Sequence, residues 1–208
     1  MDIIALFPLN IVAFPGEKVN LHIFEPRYKQ LIKDALSEKG IFGIPSYVKS
    51  VIEYGTTVEI KKIAKTYADG RMDIITHGKE VFRVANFENP YPEKLYAKGE
   101  VQYIENKHDP DSQLQVEMIE KAQELMGLLN MLSRVKIDYN ATTYELAHKV
   151  GLSLEQEYEL LAESSESVRQ KYIVQHLNQL IPSVREVERM KEKIKSNGHF
   201  NNFGPIDF

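Results

Sequence analysis

Residues 6–28 read Leu6-Phe-Pro-Leu-Asn-Ile-Val-Ala-Phe-Pro-Gly-Glu-Lys-Val-Asn-Leu-His-Ile-Phe-Glu-Pro-Arg-Tyr28. Pro15-Gly16 predicts a turn, because proline fixes φ at the first central position and glycine tolerates positive φ at the second. Residues 19–23 alternate apolar and polar side chains, which predicts a strand. Pro26 suits the first turn of a helix, so Glu25 is placed where a carboxylate meets free backbone N–H groups and the positive end of the helix dipole. This stretch therefore predicts a turn, a strand and a helix in succession.

The sequence around this stretch contains further short strand patterns, punctuated by glycine and proline. We expect strands over residues 3–7, 19–23, 55–65, 72–76, 81–87 and 96–104. Asp69-Gly70 is a turn signal, since both residue types tolerate positive φ, and it predicts a hairpin over 57–76. Apolar residues from Tyr28 to Leu36 have helical spacing, and Gly40 suits the end of that helix. About six strands with one inserted helix indicate a small, partly closed barrel.

The second half of the chain has helical periodicity. An apolar stripe predicts a helix that begins near Asp109–Ser112, with Pro110 in its first turn, and runs to about Arg134. Thr142 and Ser153 each begin a capping box, and Gly151 can end the short helix between them. A further helix carries apolar residues from Val168 to Ile181, where Pro182 kinks or ends it, and the stripe then continues to Gly198.

The change of periodicity predicts the organisation of the chain. We expect a β-rich part over residues 1–105, an α-helical part over 106–197 and a loose tail over 198–208. The fold class is therefore α+β, with a small, partly closed barrel followed by helices.

Composition excludes several classes of function. The 208 residues carry 26 basic and 30 acidic side chains, and the net charge of −4 argues against a strongly basic nucleic-acid binder. Residues 1–105 are neutral overall, and the excess of acid lies in residues 106–208. Cysteine is absent, so disulfides, thiol nucleophiles and cysteine-ligated metals are excluded. The N-terminus lacks the basic region of a signal peptide, and no apolar run could span a bilayer, which predicts a cytoplasmic protein without a membrane partner.

Motifs for catalysis are not found. No histidine pair has metal-ligand spacing, so we expect no metal site and interpret the six histidines as ordinary packed or surface residues. There is no glycine-rich phosphate loop and no G-x-S-x-G elbow, so we expect no cofactor and no enzyme. A serine–lysine dyad could be distant in sequence, but nothing marks one.

A family resemblance rests on residues 6–36, LFPLNIVAFPGEKVNLHIFEPRYKQLIKDAL. They resemble the opening of the Lon substrate-binding domain, the N-terminal domain of ATP-dependent Lon proteases, which reads roughly LFPL, then FPG, then LHIFEPRY. The resemblance continues through 42–44, 54–56, 69–78 and 82–84, and more weakly through Leu160-Leu161, Arg169 and Leu177. It implies a PUA-like pseudo-β-barrel with a helical bundle behind it, and the binding of unfolded or exposed peptide segments. The ATPase and serine–lysine peptidase modules of Lon would follow such a domain, so a chain ending at Phe208 resembles a stand-alone member.

The leading hypothesis is a non-enzymatic protein- or peptide-binding module. It would bind unfolded polypeptides, act as an adaptor in proteolysis or quality control, and could work with a separate protease. A groove or apolar patch between the barrel and the helices would hold the peptide. The peptide-binding candidates are Pro15, Phe24, Glu25, Arg27 and Tyr28, which the motif places together. The structural motif residues are Pro8, Gly16, Gly55, Asp69, Gly70 and Gly78.

Two points remain open in this hypothesis. Phe24 suits the core better than a contact surface, because it follows an alternating strand. The oligomeric state is not predicted.

Two alternatives are an RNA-binding barrel and an ATP-independent hydrolase. The hydrolase needs a nucleophile and a base that the sequence does not mark. RNA binding is disfavoured by the neutral barrel and acidic helical half, so we expect no nucleic-acid partner. Lys61-Lys62 with Lys65 is the only basic patch, and a solvated strand face explains it.

Overall fold

The computed structural model describes residues 2–48 and 51–198, with side chains as far as Lys195. The elements of this part of the chain are β1 (Asp2–Leu6), β2 (Lys18–Ile23), α1 (Pro26–Ser37), β3 (Ile41–Val48), β4 (Val51–Thr66), β5 (Met72–Glu88), β6 (Ala97–Tyr103), α2 (Ser112–Leu128), α3 (Thr143–Ala147), α4 (Leu154–Ala162) and α5 (Glu166–Gly198). Strands with one inserted helix come first and helices follow, so the predicted fold class is confirmed. The predicted tail lies outside the described residues except for Gly198, the last residue of α5.

The sheet closes into a barrel through the long strand β5. The described strands are ordered β2-β5-β4-β3-β1-β6, and β5 also pairs with β6. β5 makes three pairings because residues 72–77 pair with β2, residues 82–88 pair with β6, and β4 runs along its other side. The barrel consists of β5, β4, β3, β1 and β6. The remaining strand, β2, forms a three-stranded extension of the barrel with residues 72–77 of β5 and 60–66 of β4.

The number of strands agrees with the prediction, but the set of strands differs. Residues 72–76 and 81–87 form one continuous strand, β5, although Gly78 lies between them. A Cβ atom on Gly78 would lie 2.0 Å from the backbone oxygen of Phe14, so this glycine permits a close approach instead of a break. The strand β3 was not predicted. It is buried on both faces and contains Gly43 and Pro45, so it shows neither alternation nor an uninterrupted apolar run.

The helical half also corrects several predicted boundaries. Asp111 is the N-cap of α2, so Pro110 precedes the helix and does not lie in its first turn. α2 ends at Leu128 instead of near Arg134. Both capping boxes are confirmed at α3 and α4. α5 continues through Pro182 to residue 198, so this proline does not end the helix.

The barrel and the helices share a hydrophobic core. On one face of the sheet, buried residues of β3, β4 and β5 pack against α1, with Leu31 and Ile32 fully buried. Leu6, Phe82 and Val101 form a separate cluster between the barrel strands. A third cluster joins Val12, Phe14 and Val81 of the strand region to the buried faces of α2, α3, α4 and α5. The segment before β2 therefore lies between the two layers. In the described part of the chain, no helix is both long and apolar enough to cross a membrane.

Candidate functional site

Residues 14–17 form a turn, called here the Phe-Pro-Gly turn, which hydrogen bonds hold within itself and to β5. Glu17 N donates to Phe14 O across the turn (3.1 Å), and Gly16 has φ of 81°, so its predicted positive φ is confirmed. The turn is tied to β5, because Gly16 N donates to Gly78 O (3.0 Å) and Gly78 N donates to Glu17 O (2.8 Å). The Glu17 carboxylate also accepts from Phe14 N (2.9 Å). Pro15 is thereby held at the surface between the barrel and the helices.

The start of α1 differs from the prediction in one respect. Glu25 is the N-cap residue, but its carboxylate does not cap the helix. It accepts a hydrogen bond from Arg27 Nε at 2.9 Å instead. The Arg27 guanidinium lies 4.5 Å from the centre of the Tyr28 ring, and Tyr28 stacks on Phe7 at 3.7 Å between ring centres. The motif therefore forms a compact cluster of one ion pair and two aromatic rings at the start of α1.

Arg27 and Tyr28 line an open cleft of about 260 Å³, which we call the aromatic cleft. Three aromatic rings, four aliphatic side chains, two amides and one guanidinium form its walls: Tyr28, Tyr47, Phe87, Leu6, Pro8, Ile52, Ala97, Asn10, Asn89 and Arg27. Tyr47 is 45% exposed at this cleft, whereas Tyr28 is 7% exposed and forms a fixed wall. Burial raises the pKa of the Tyr28 phenol, which therefore stays neutral. A concave, mainly apolar surface with a few polar groups is the usual form of a binding site.

A second, larger groove lies between the barrel and the helices. Its volume is about 630 Å³, and its walls include Pro15, Gly16, Gln115, Tyr144 and Glu166. Most of its lining residues are polar, and several of their groups are already engaged. Gln115 Nε2, for example, donates to the backbone oxygens of Tyr139 and Ala141 at 3.0 Å each. The exposed surface of the groove and of the cleft is mainly apolar in both cases, and the cleft differs in gathering three aromatic rings at its walls.

The structure separates the five predicted site residues. Pro15 lies at the larger groove between the barrel and the helices, Arg27 and Tyr28 line the aromatic cleft, and Glu25 reaches the cleft only through Arg27. Phe24 is 57% exposed and stacks on His22 with ring centres 6.0 Å apart, so the expectation that it joins the core is wrong. It follows the last residue of β2 and faces solvent because the buried positions of that strand are Val19 and Ile23.

The predicted structural motif residues lie mainly at close contacts and turns. Gly55 faces the backbone of β3, where a Cβ atom would lie 2.4 Å from Ile44 O. The Asp69-Gly70 turn joins β4 to β5, with Gly70 at φ of 77°, while the Asp69 carboxylate binds Arg71. Pro8, predicted only as a structural residue, lines the aromatic cleft.

Sequence reasoning missed several residues of the aromatic cleft and its surroundings. Tyr47 was missed with β3, and Phe87 was assigned to a strand without a role. Asn10 lies inside the quoted stretch, but no local pattern indicates that its amide faces a cleft. Long-range folding alone brings these side chains to Tyr28.

His148 was interpreted as an ordinary histidine, but it connects the turn to the helices. Its Nδ1 lies 2.6 Å from Glu157 Oε1 and its Nε2 lies 3.3 Å from Glu17 Oε2. Hydrogen bonds with Glu17 and Glu157 raise its pKa to about 9, so the ring is a cation at neutral pH. The ring also packs on Phe14, with centres 5.0 Å apart. The Phe-Pro-Gly turn is thus held to the helical half by a charged group.

No arrangement of catalytic groups is visible in the described residues. Within residues 2–48 and 51–198, no group of three or more His, Asp or Glu side chains is placed to hold a metal ion. Like His148 with its two glutamates, the polar clusters of Asp34 with Lys94 and Tyr96 and of Glu166 with Arg169 consist of hydrogen-bonded groups that join structural elements. The geometry of the aromatic cleft supports binding.

The barrel, the bundle behind it and the fixed Phe-Pro-Gly turn define a small α+β domain that pairs a closed sheet with helices. Residues 3–179 match the family model described as the ATP-dependent protease La (LON) substrate-binding domain, and the chain belongs to this family. A Lon N-terminal domain protein from Xanthomonas campestris is similar in structure, with a TM-score of 0.65 and 27% identity over 84% of this chain and 98% of that one.

A more distant relative shares the fold alone. The N-terminal domain of the Mycobacterium avium complex Lon protease has a TM-score of 0.62 and 13% identity, over 85% of this chain and 98% of that chain. The family match ends at residue 179, so the last part of α5 lies beyond it.

Proposed function

We propose that this domain is a non-enzymatic binding module that holds exposed apolar segments of unfolded polypeptides in the aromatic cleft. The observation that carries the proposal is the convergence of Tyr28, Tyr47 and Phe87 with four aliphatic side chains in one open cleft. Aromatic rings supply a large contact area with little loss of side-chain entropy, and flexible recognition of varied peptides uses such surfaces. Membership of the substrate-binding family supports polypeptide as the class of ligand.

The polar groups of the cleft give the bound segment a direction. The amides of Asn10 and Asn89 can donate to and accept from a peptide backbone, which every extended segment carries. Arg27 lies at the wall with its guanidinium oriented by Glu25 and Tyr28. Backbone recognition with apolar contact explains how one cleft would accept many sequences. In the cytoplasm, such a module would serve as an adaptor in proteolysis or quality control, presenting clients to a separate protease.

The test is the substitution Tyr47→Ala. Because Tyr47 is 45% exposed, its removal should leave the melting temperature within about 2 °C of the parent value. Its loss from a binding surface should weaken affinity for an unfolded client by about tenfold, equivalent to about 1.4 kcal/mol. Reduced and alkylated lysozyme serves as the client, with folded lysozyme as the negative ligand, and affinity is measured by fluorescence anisotropy.

Tyr139→Ala is the matched control. Tyr139 is 75% exposed and lies in the helical half, away from the residues of the aromatic cleft. It should bind the client like the parent chain. Equal affinities for the Tyr47 and Tyr139 variants, or equal binding of folded and unfolded lysozyme, would contradict the proposal.

A further inference from the structure

The second half of β4 has a free edge. β3 pairs with β4 only as far as the pair Ile41 with Glu59, and Ile60 N then donates to Gly40 O at 2.8 Å. From residue 61 to residue 66, β4 pairs with β5 on one side and with no other described strand on its second side. The second half of β4 therefore lacks the neighbouring strand that β3 provides for the first half. An unpaired edge presents backbone N–H and C=O groups to any extended chain.

The two faces of this edge have different chemistry. Across the three-stranded extension, paired residues form the rows His22–Asp73–Lys65, Asn20–Ile75–Lys62 and Lys18–His77–Glu59. On β2 and β5 the members of these rows are two residues apart and so share the outer face. On β4 they are three apart, and the register shifts between Ile60 and Lys62 and between Ile63 and Lys65 keep them paired with that face. All members are exposed or half-buried. The inner face is covered by α1, which packs on Ile23 and Ile74. Ile63 pairs with Ile74 and is 43% exposed at the inner side of the edge.

The outer face has a basic free edge although the chain as a whole is acidic. The Asp73 carboxylate, which pairs with Lys65 across the ladder, is already hydrogen-bonded by His22 and Tyr67. Lys62 and Lys65 stand on the free edge itself and form no salt bridge with the described residues. The nearby carboxylate of Glu59 is already bound by Lys61 and Lys79 at 2.7 Å each, which lowers its pKa to about 2. Lys65 Nζ lies 4.4 Å from the centre of the Tyr67 ring, a contact that orients the ammonium group without neutralising it.

We propose that this edge is a docking site for an extended polypeptide segment in which acidic residues alternate with apolar ones. Such a segment would add to β4 beside residues 61–66 as a new strand. Its carboxylates would lie on the outer face next to Lys62 and Lys65, and its apolar side chains would lie on the inner face beside Ile63 and the edge of α1. Neighbouring strands lie about 4.8 Å apart, so a glutamate on the added strand is within reach of a lysine on β4.

Charge and backbone geometry both favour this occupant. Lysines on a sheet edge deter pairing between copies of the same chain, but the same charges attract an acidic strand. A nucleic acid could use the lysines and single backbone N–H groups, but it could not continue the ladder of alternating N–H and C=O groups that the edge offers. This site is separate from the aromatic cleft and does not depend on the function proposed for that cleft.

The probe is a synthetic, end-blocked peptide of alternating glutamate and valine, labelled with a fluorophore. We expect it to bind the whole chain, and we expect the charge reversal Lys62→Glu with Lys65→Glu to weaken its affinity at least tenfold. The matched control reverses two exposed lysines of the helical half, Lys136→Glu with Lys149→Glu, and should change the affinity less than twofold. Tyr47→Ala should leave binding of this peptide unchanged, so a negative result for the β4 edge can be distinguished from a negative result for the aromatic cleft.

Strand addition has its own signature. The backbone N–H groups of successive strand residues point to opposite edges, so N-methylation of every second residue blocks one edge of the peptide. One peptide is methylated at the odd-numbered residues and a second at the even-numbered residues. Only the set of methyl groups that faces β4 should abolish binding. Binding by both methylated peptides, equal binding of a lysine–valine peptide, or unchanged affinity after the Lys62 and Lys65 reversal would overturn the proposal. Tighter binding of an eight-residue oligouridylate would assign the surface to nucleic acid instead.

Discussion

Two carboxylates and one imidazole form the charged contact that holds the Phe-Pro-Gly turn to the helices. Glu17 belongs to the turn, His148 follows α3, and Glu157 lies in α4. Glu17 also accepts from the backbone N–H of Phe14, so one carboxylate fixes the turn and binds the cation. Because the charged imidazole is stabilised only in the folded chain, this contact makes stability depend on pH.

The first prediction concerns that pH dependence. The pKa of His148 is raised by folding from 6.5 to about 9, so its contribution is complete below pH 6.5 and is lost as the pH rises through 9. The ring is partly exposed, and solvent screening reduces the effect to about 1 kcal/mol. Urea unfolding at pH 6 and pH 9.5 should show this loss in the parent chain and not in His148→Gln.

His108→Gln is the control for this measurement, since His108 is exposed. It should keep the parent pH slope. An identical slope in the parent and in the His148 variant would show that the contact adds no stability.

At the scale of elements, α5 is anchored by a buried arginine. Arg169 is 1% exposed, and its guanidinium donates to Glu166 Oε2 at 2.6 Å, Asn106 Oδ1 at 2.8 Å and Glu163 O at 2.6 Å. Glu166 in turn accepts from the backbone and hydroxyl of Thr143, the first residue of α3. One buried pair therefore joins α5 to α3 and to the segments before α2 and α5.

The second prediction tests this anchor. Arg169→Met leaves the Glu166 carboxylate buried without its cation, and should reduce the free energy of unfolding by about 3–5 kcal/mol. Adding Glu166→Gln removes the uncompensated charge, so the double variant should recover part of that loss. The measurement is a double-mutant cycle by urea denaturation. Strict additivity, or a loss below about 1 kcal/mol for Arg169→Met, would contradict the anchor.

At the scale of the whole molecule, the barrel and the helices form one folding unit with a long helical projection. The strand region has buried clusters of its own, but Val12, Phe14 and Val81 belong to the core of the helices, so the helical half buries its apolar surface only against the strand region. The division at residue 105 therefore remains a prediction about subdomains. The end of α5 is different, since Val187, Met190 and Ile194 are 50%, 53% and 71% exposed.

The third prediction is that the end of α5 can be removed. A chain truncated after Glu186 keeps the half-buried Val184, and should melt within about 3 °C of the parent, because half-exposed side chains contribute little to stability. Truncation after Tyr172 removes the buried Leu177 and Ile181 and should prevent cooperative folding. Thermal denaturation followed by circular dichroism distinguishes the two. A similar loss in both chains would show that the projection is part of the core.

Local patterns predicted the elements whose signals lie within a few residues. The turn at Pro15-Gly16, the start of α1 and both capping boxes depend on backbone angles and on side chains three residues apart, so they can be predicted from sequence. Local patterns predicted the wrong structure where a contact with a residue distant in sequence decides the conformation. The patterns predicted separate strands over 72–76 and 81–87, but these residues form one strand, in which Gly78 permits the close approach of Phe14.

The sequence by itself determined the family and the fold class, and it named Arg27 and Tyr28, which line the aromatic cleft, among its binding candidates. It also indicated the basic segment at Lys61-Lys62 and Lys65. Only the tertiary structure decided that Tyr47 and Phe87 complete the cleft, that Pro15 and Phe24 lie elsewhere, and that the lysines stand on an unpaired edge. The reason is physical: backbone preferences act between neighbours in the chain, whereas clefts and free edges depend on where distant strands begin and end.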